Sequence, residues 1–145
     1  MTIMEALHRI DSIKPNSYSQ TEKVQWLSTL DGIIKAEIID THEDLEGIEF
    51  EGYSENTALN HKLLVPAPYD EVYLFWLESK IDYWSGEVGK YNNSVSMFNN
   101  AYDAFAKYYN RTHKPLGRKY KFFGPITTPE YQVSTEFAKV FVEED

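Results

Sequence analysis

One run of the chain admits few folds. Val88, Tyr91, Val95, Phe98, Tyr102, Phe105 and Tyr109 follow one another at spacings of 3, 4, 3, 4, 3 and 4. That rhythm keeps a single face of an α-helix apolar over about six turns. Met97, Ala101, Ala104 and Tyr108 broaden the stripe, while Asn92, Asn93, Ser96, Asn99, Asn100 and Asp103 fall mainly outside it. The pattern predicts a helix over residues 87–112 with the stripe in the core. It is too short for a sustained coiled coil, and no internal repeat accompanies it.

The segment before it reads as a second helix, over residues 69–84. Leu74, Leu77, Ile81 and Trp84 mark one face, and Val72, Phe75, Trp76 and Tyr83 cover much of the rest. A helix apolar on so many sides is expected to be buried from two directions. Pro66 and Pro68 bracket its entry, and Asp70 and Glu71 suit the positive end of its dipole. Only Ser85 and Gly86 separate the two helices, which predicts an antiparallel hairpin.

Two further helices precede this hairpin. Ile3, Leu7, Ile10 and Ile13 give one apolar face, closed by Pro15. Ser19 and Glu22 stand at capping-box spacing, followed by an inner stripe of Val24, Leu27, Leu30, Ile34 and Ile38, widened by Trp26, Ile33 and Ile39. Gly32 weakens that helix by about 1 kcal/mol relative to alanine, which a kink or a close packing contact would explain. Residues 40–62 are acidic, contain two glycines and lack helical periodicity, so they are expected to form a protruding loop or arm. Beyond Gly117 the helical pattern ends. Residues 118–145, with Tyr131, Val133, Phe137, Val140 and Val142, read as an extended C-terminal tail that could lie on another subunit.

The expectation is therefore an all-α fold: a small helical bundle with a long antiparallel hairpin in a helical domain at 1–117, then the tail at 118–145. A chain of 145 residues with 42% hydrophobic content can bury a core without staples. The opening residues lack a basic region followed by a long apolar run, so no signal peptide is expected, and no stretch is apolar enough to span a membrane.

Little in the chain points to chemistry. Cysteine is absent, which excludes disulfides, zinc thiolates and a cysteine nucleophile. His8, His42, His61 and His113 are scattered, and the metalloprotease, P-loop, dinucleotide and serine-hydrolase signatures are missing. Residues 40–47 carry atoms that could meet a cation, but they depart from the calcium-loop pattern. No enzyme, cofactor or metal is expected.

Charge is segregated instead. From Glu37 to Glu55 lie eight acids and no lysine or arginine; from Lys107 to Lys121 lie six bases and no acid. Three readings stand side by side. The runs are two solvated faces, or the acidic arm (Glu43, Asp44, Glu46, Glu49, Glu51) meets the basic segment (Lys107, Arg111, Lys114, Arg118, Lys119, Lys121) of the next subunit head to tail. The third has the basic segment facing DNA with Tyr108, Tyr109 and Tyr120 interleaved. A net charge of −9 argues against DNA binding by the chain as a whole.

Residues 63–115 and the earlier run LDGIIKAEIIDTHE at 30–43 resemble phage and prophage proteins of Firmicutes assigned to the head–tail connector, or adaptor, group of long-tailed phages. The strings that carry the resemblance are VPAPYDE, the turn from Asp82 to Glu87, YNNS at 91–94 and YNRTH at 109–113. It covers somewhat under half of the chain and none of residues 120–145. The resemblance implies a helical virion protein that joins a homo-oligomeric ring in the phage neck. The portal protein and tail-side neck proteins would be its partners, and DNA would be met only in the ring lumen. Before assembly the protein would sit in the host cytoplasm. A small helical interaction module, such as a prophage regulator or a tail-completion protein, is the competing expectation.

Overall fold

The computed structural model describes residues 1–117, of which Met1–Pro115 form one compact unit. The expected tail at 118–145 lies outside the described residues. The described residues hold four α-helices: α1 (Ile3–Ile13), α2 (Gln20–Glu37), α3 (Val72–Trp84) and α4 (Val88–Thr112). Short 3-10 turns at Ile39–Thr41 and Tyr69–Glu71 follow α2 and lead into α3. Among the described residues there is no strand, only isolated bridges at Thr2 with Lys62 and at His42 with Pro115. The all-α expectation holds to that extent.

Local chemistry sets the helix ends. Thr2 Oγ1 accepts from Glu5 N–H at 3.1 Å while Glu5 Oε1 accepts from Thr2 N–H at 2.9 Å, a reciprocal capping box. Ser19 caps α2 by accepting from Glu22 N–H at 3.1 Å. The α3–α4 turn needs Gly86, whose φ is 75°. Around it, Gly86 N–H reaches Tyr83 O at 3.2 Å and Glu87 N–H reaches Asp82 O at 3.0 Å.

α3 packs against α1, α2 and α4, which accounts for its apolar character on several sides. Ile3, Ala6, Leu7 and Ile10 of α1, Val24, Leu27, Leu30 and Ile34 of α2, and Val72, Tyr73, Leu74, Leu77 and Ile81 of α3 are all buried. The stripe of α4 is a correction. Phe105 and Tyr109 are 1% and 6% exposed, but Tyr91, Val95, Phe98 and Tyr102 are only half-buried and Val88 is 69% exposed. The reason is that, among the described residues, α3 is the only helix in extensive contact with α4, and none of them covers one flank of the stripe.

The expected arm is a second correction. Residues 42–68 form a strap laid over the bundle, not a free-standing loop. Tyr53, Leu63 and Val65 are buried, and Ile48, Phe50, Leu59 and Leu64 pack against the core. The end of α1 uses the strap to satisfy backbone donors that no helix can pair itself. Ile3 N–H donates to His61 O at 3.1 Å and Met4 N–H to Leu59 O at 2.9 Å. Only short stretches project, such as the one around Leu45, which is 88% exposed.

A buried carboxylate fastens the strap. Asp31, on the inner face of α2, accepts from Tyr53 Oη at 2.5 Å, from Tyr73 Oη at 2.6 Å and from Leu64 N–H at 3.1 Å. Tyr73 Oη in turn accepts from Val65 N–H at 2.8 Å. Burial pushes the Asp31 carboxyl above its ordinary value of 3.8, against the pull of its three donors, and burial beside that carboxylate pushes both phenols up.

Removing the acceptor leaves three buried donors short of a partner. Asp31→Ala is expected to cost about 3–5 kcal/mol in denaturant unfolding, and Asp31→Asn less. Because the folded state holds the Asp31 proton more tightly than the unfolded chain, this group favours folding below 3.8 and loses that contribution as pH rises through its folded value. The stability difference between wild type and Asp31→Asn should therefore move in favour of wild type as pH falls from about 7 to about 4. Gly32 offers a second test. An added Cβ would meet Phe50 Cε2 at 3.5 Å, an ordinary contact, so Gly32→Ala should stabilise the protein by up to about 1 kcal/mol.

Candidate interaction surface

The open flank of α4 and the adjoining face of α3 enclose a groove of about 470 Å³ lined by Trp76, Ser79, Lys80, Tyr83, Tyr91, Val95, Phe98 and Asn99. Its aromatic rings pair, Trp76 with Phe98 at 5.1 Å and Tyr83 with Tyr91 at 5.4 Å, and Phe98 meets Tyr102 beyond the groove at 5.6 Å. Lys80 Nζ sits 4.5 Å from the Trp76 ring centroid. Trp84, Val88 and Met97 are exposed nearby. Scattered apolar residues on a surface are ordinary, whereas contiguous ones mark a place where another molecule can bind.

The turn that carries this groove is held by Asp82. Its carboxylate accepts from Lys14 Nζ at 2.7 Å and from Ser94 Oγ at 2.6 Å, so one buried acid joins the end of α1 to both arms of the hairpin. The far end of α4 is held by His42. The ring is buried, with Nδ1 at 2.6 Å from Ile38 O and Nε2 at 2.7 Å from Asn110 Oδ1. An imidazolium donates to both oxygens; with a neutral ring, the Asn110 amide turns to donate its NH2. Tyr109 packs its ring edge-on against His42 at 4.9 Å.

The two charge runs meet within one chain. Glu43 N–H donates to Lys114 O at 2.8 Å, and Lys114 Nζ lies 3.8 Å from Glu43 Oε2. The contact expected between subunits is thus made, for these two residues, inside the protomer. Burial and, after it, the field of Glu46, Asp44 and Asp40 raise the Tyr109 phenol. Asp44 Oδ1 accepts from Ile48 N–H at 3.1 Å and shapes the projecting turn. Glu46, Glu49, Glu51 and Arg111 are exposed, and Lys107 pairs with Asp103 at 2.9 Å on its own helix. Arg118, Lys119 and Lys121 lie outside the described residues.

Sequence reasoning missed the roles of Asp31, Asp82 and His42. A signal was present for the first two. Asp31 falls between Leu27 and Ile34 on the inner stripe of α2, and Asp82 follows Ile81 in a helix apolar on most sides. An acid at such a position is rarely left without donors. Among the described residues no group of three or more histidines or acids comes together around a metal-sized site. No helix there is long and apolar enough to cross a membrane.

No protein-family model, curated protein or solved structure matches this chain.

The two ends of the α4 stripe should respond differently to truncation. Phe105→Ala is expected to cost about 3–5 kcal/mol, as for a fully buried phenylalanine. Phe98→Ala should cost clearly less, because its ring already faces solvent on one side. Urea titrations of the two variants followed by circular dichroism give the comparison, and equal losses would mean that the groove is closed in solution.

Proposed function

We propose that this chain is a structural subunit of a tailed-phage neck, a head–tail connector that joins a ring between the portal and the tail. The observation that carries the reading is the long hairpin whose aromatic face the described residues leave half-covered. A monomer gains nothing from keeping Val95, Phe98 and Tyr91 at the surface, whereas a ring subunit buries such a face against its neighbour. The resemblance of residues 30–43 and 63–115 to connector proteins supports the same reading and supplies its partners: the portal, tail-side neck proteins and further copies of the chain. No cofactor enters it. The exposed Arg111 makes no ion pair among the described residues, so it is free to set register against an acidic neighbour.

The test uses the full chain and the purified portal. Wild type is expected to add a ring of density to the portal in negative-stain images. Val95→Glu places a charge in the groove. It should keep the helical circular dichroism spectrum yet fail to form the ring. Arg111→Glu should slow or weaken assembly, most at low salt. A wild-type protein that ignores the portal but binds a specific DNA operator or a repressor would instead make it a prophage regulator.

A further inference from the structure

A second concavity lies near the hairpin turn. It has a volume of about 270 Å³ and is lined by Tyr18, Glu22, Trp26 and Trp84. The four side chains come from three places. Tyr18 belongs to the α1–α2 linker, Glu22 and Trp26 stand one turn apart on α2, and Trp84 is the last residue of α3. The Tyr18 and Trp26 rings are 5.5 Å apart and inclined by 60°, so they form a corner and not a stack.

This corner is held in place before any ligand arrives. Trp26 is 6% exposed, and its carbonyl accepts the Trp76 indole N–H at 2.8 Å. Tyr18 Oη lies 3.1 Å from Ser85 Oγ, and Tyr18 N–H donates to Asn16 Oδ1 at 3.1 Å. Trp84 is 61% exposed and leans edge-on against Tyr83 at 5.1 Å. Glu22 is exposed, and among the described residues its carboxylate takes part in no ion pair.

Three aromatic side chains and one carboxylate around a small cavity favour an organic cation. A purely apolar guest would strip water from Glu22 without replacing its hydrogen bonds. A hard metal ion would find one carboxylate where it needs several oxygens. Guanidinium fits best, because it is planar and weakly hydrated, stacks on aromatic faces and offers paired donors to a carboxylate. The cavity adjoins the exposed Tyr83 and Trp84, so a polypeptide bearing the cation would cover apolar surface that a free small cation would leave wet. The net charge of −9 draws a basic partner toward the protein.

We propose that Tyr18, Glu22, Trp26 and Trp84 form an aromatic cage that receives an arginine side chain of a protein partner. This inference goes beyond the connector reading and stands without it, since it concerns the guest of one cavity and not the assembly that the chain joins.

The experiment titrates the full chain with a capped Ala-Arg-Ala tripeptide while following the indole N–H resonances of the three tryptophans. Capped peptides with citrulline or lysine at the centre, and tetramethylammonium, serve as comparisons. The expected result is a saturable shift of the Trp84 and Trp26 resonances at about millimolar peptide, the strength of one cation–π site. Glu22→Gln should weaken it about tenfold. Trp84→Ala, at an exposed position that folding does not need, should abolish the Trp26 shift. The proposal is overturned if no saturable shift occurs, or if the citrulline peptide binds equally well. Tighter binding of lysine or tetramethylammonium than of arginine would overturn the guanidinium assignment, and an unchanged affinity in Glu22→Gln would remove the carboxylate from the site.

Discussion

Everything on the strap side of the molecule depends on one buried charge. Asp31 sits where the inner stripe of α2 would ordinarily carry another aliphatic residue. It gathers donors from α3 and from two points of the strap. A carboxylate taken out of water is costly unless its lone pairs are filled. The arrangement that fills them brings Tyr53, Tyr73 and the backbone at Leu64 to one point. Apolar packing alone would allow residues 42–68 to slide over the bundle, whereas a single acceptor with three aimed donors fixes their register. Asp82 does for the hairpin turn what Asp31 does for the strap, and its partners, Lys14 and Ser94, are likewise far apart in sequence.

The hairpin divides its labour along its length. At the closed end of the groove, Phe105, Tyr109, Tyr69 and Tyr108 pack together and against the His42 tie. Toward the turn, the same stripe opens to solvent, and both concavities described above lie there. The rigid part of α4 is therefore a lever that presents the aromatic part. A partner that docks at the turn meets a surface already ordered by core packing, so little conformational entropy is lost on binding.

Periodicity read the helices well, because apolar spacing directly reports which face of a helix meets a neighbour. The apolar face from Ile3 to Ile13 coincides with α1, and the predicted spans 69–84 and 87–112 differ from α3 and α4 by a 3-10 turn and one terminal residue. It failed where burial comes from polar atoms. The strap looked like a loose arm because charged residues outnumber apolar ones over 40–62, yet Tyr53, Leu63 and Val65 help to seat it and Asp31 supplies an anchor. The α4 stripe was overestimated for the opposite reason. Spacing shows that a face is apolar, but not whether a second element of the same chain exists to cover it. The charge runs were visible at once, but their in-chain meeting at Glu43 and Lys114 requires the strap's path, which no pattern encodes.

The strap also orders events in time. The first turn of α1 hands its backbone donors to Leu59 and His61, and Lys14 at its other end waits for Asp82. During synthesis α1 and α2 leave the ribosome with their apolar faces bare, and neither can be completed until the chain has grown past the middle of α3. Contacts so distant along the chain slow folding and lengthen the exposure of sticky surface. A truncated product ending before Asp82 would be expected to aggregate rather than to persist as a small folded fragment.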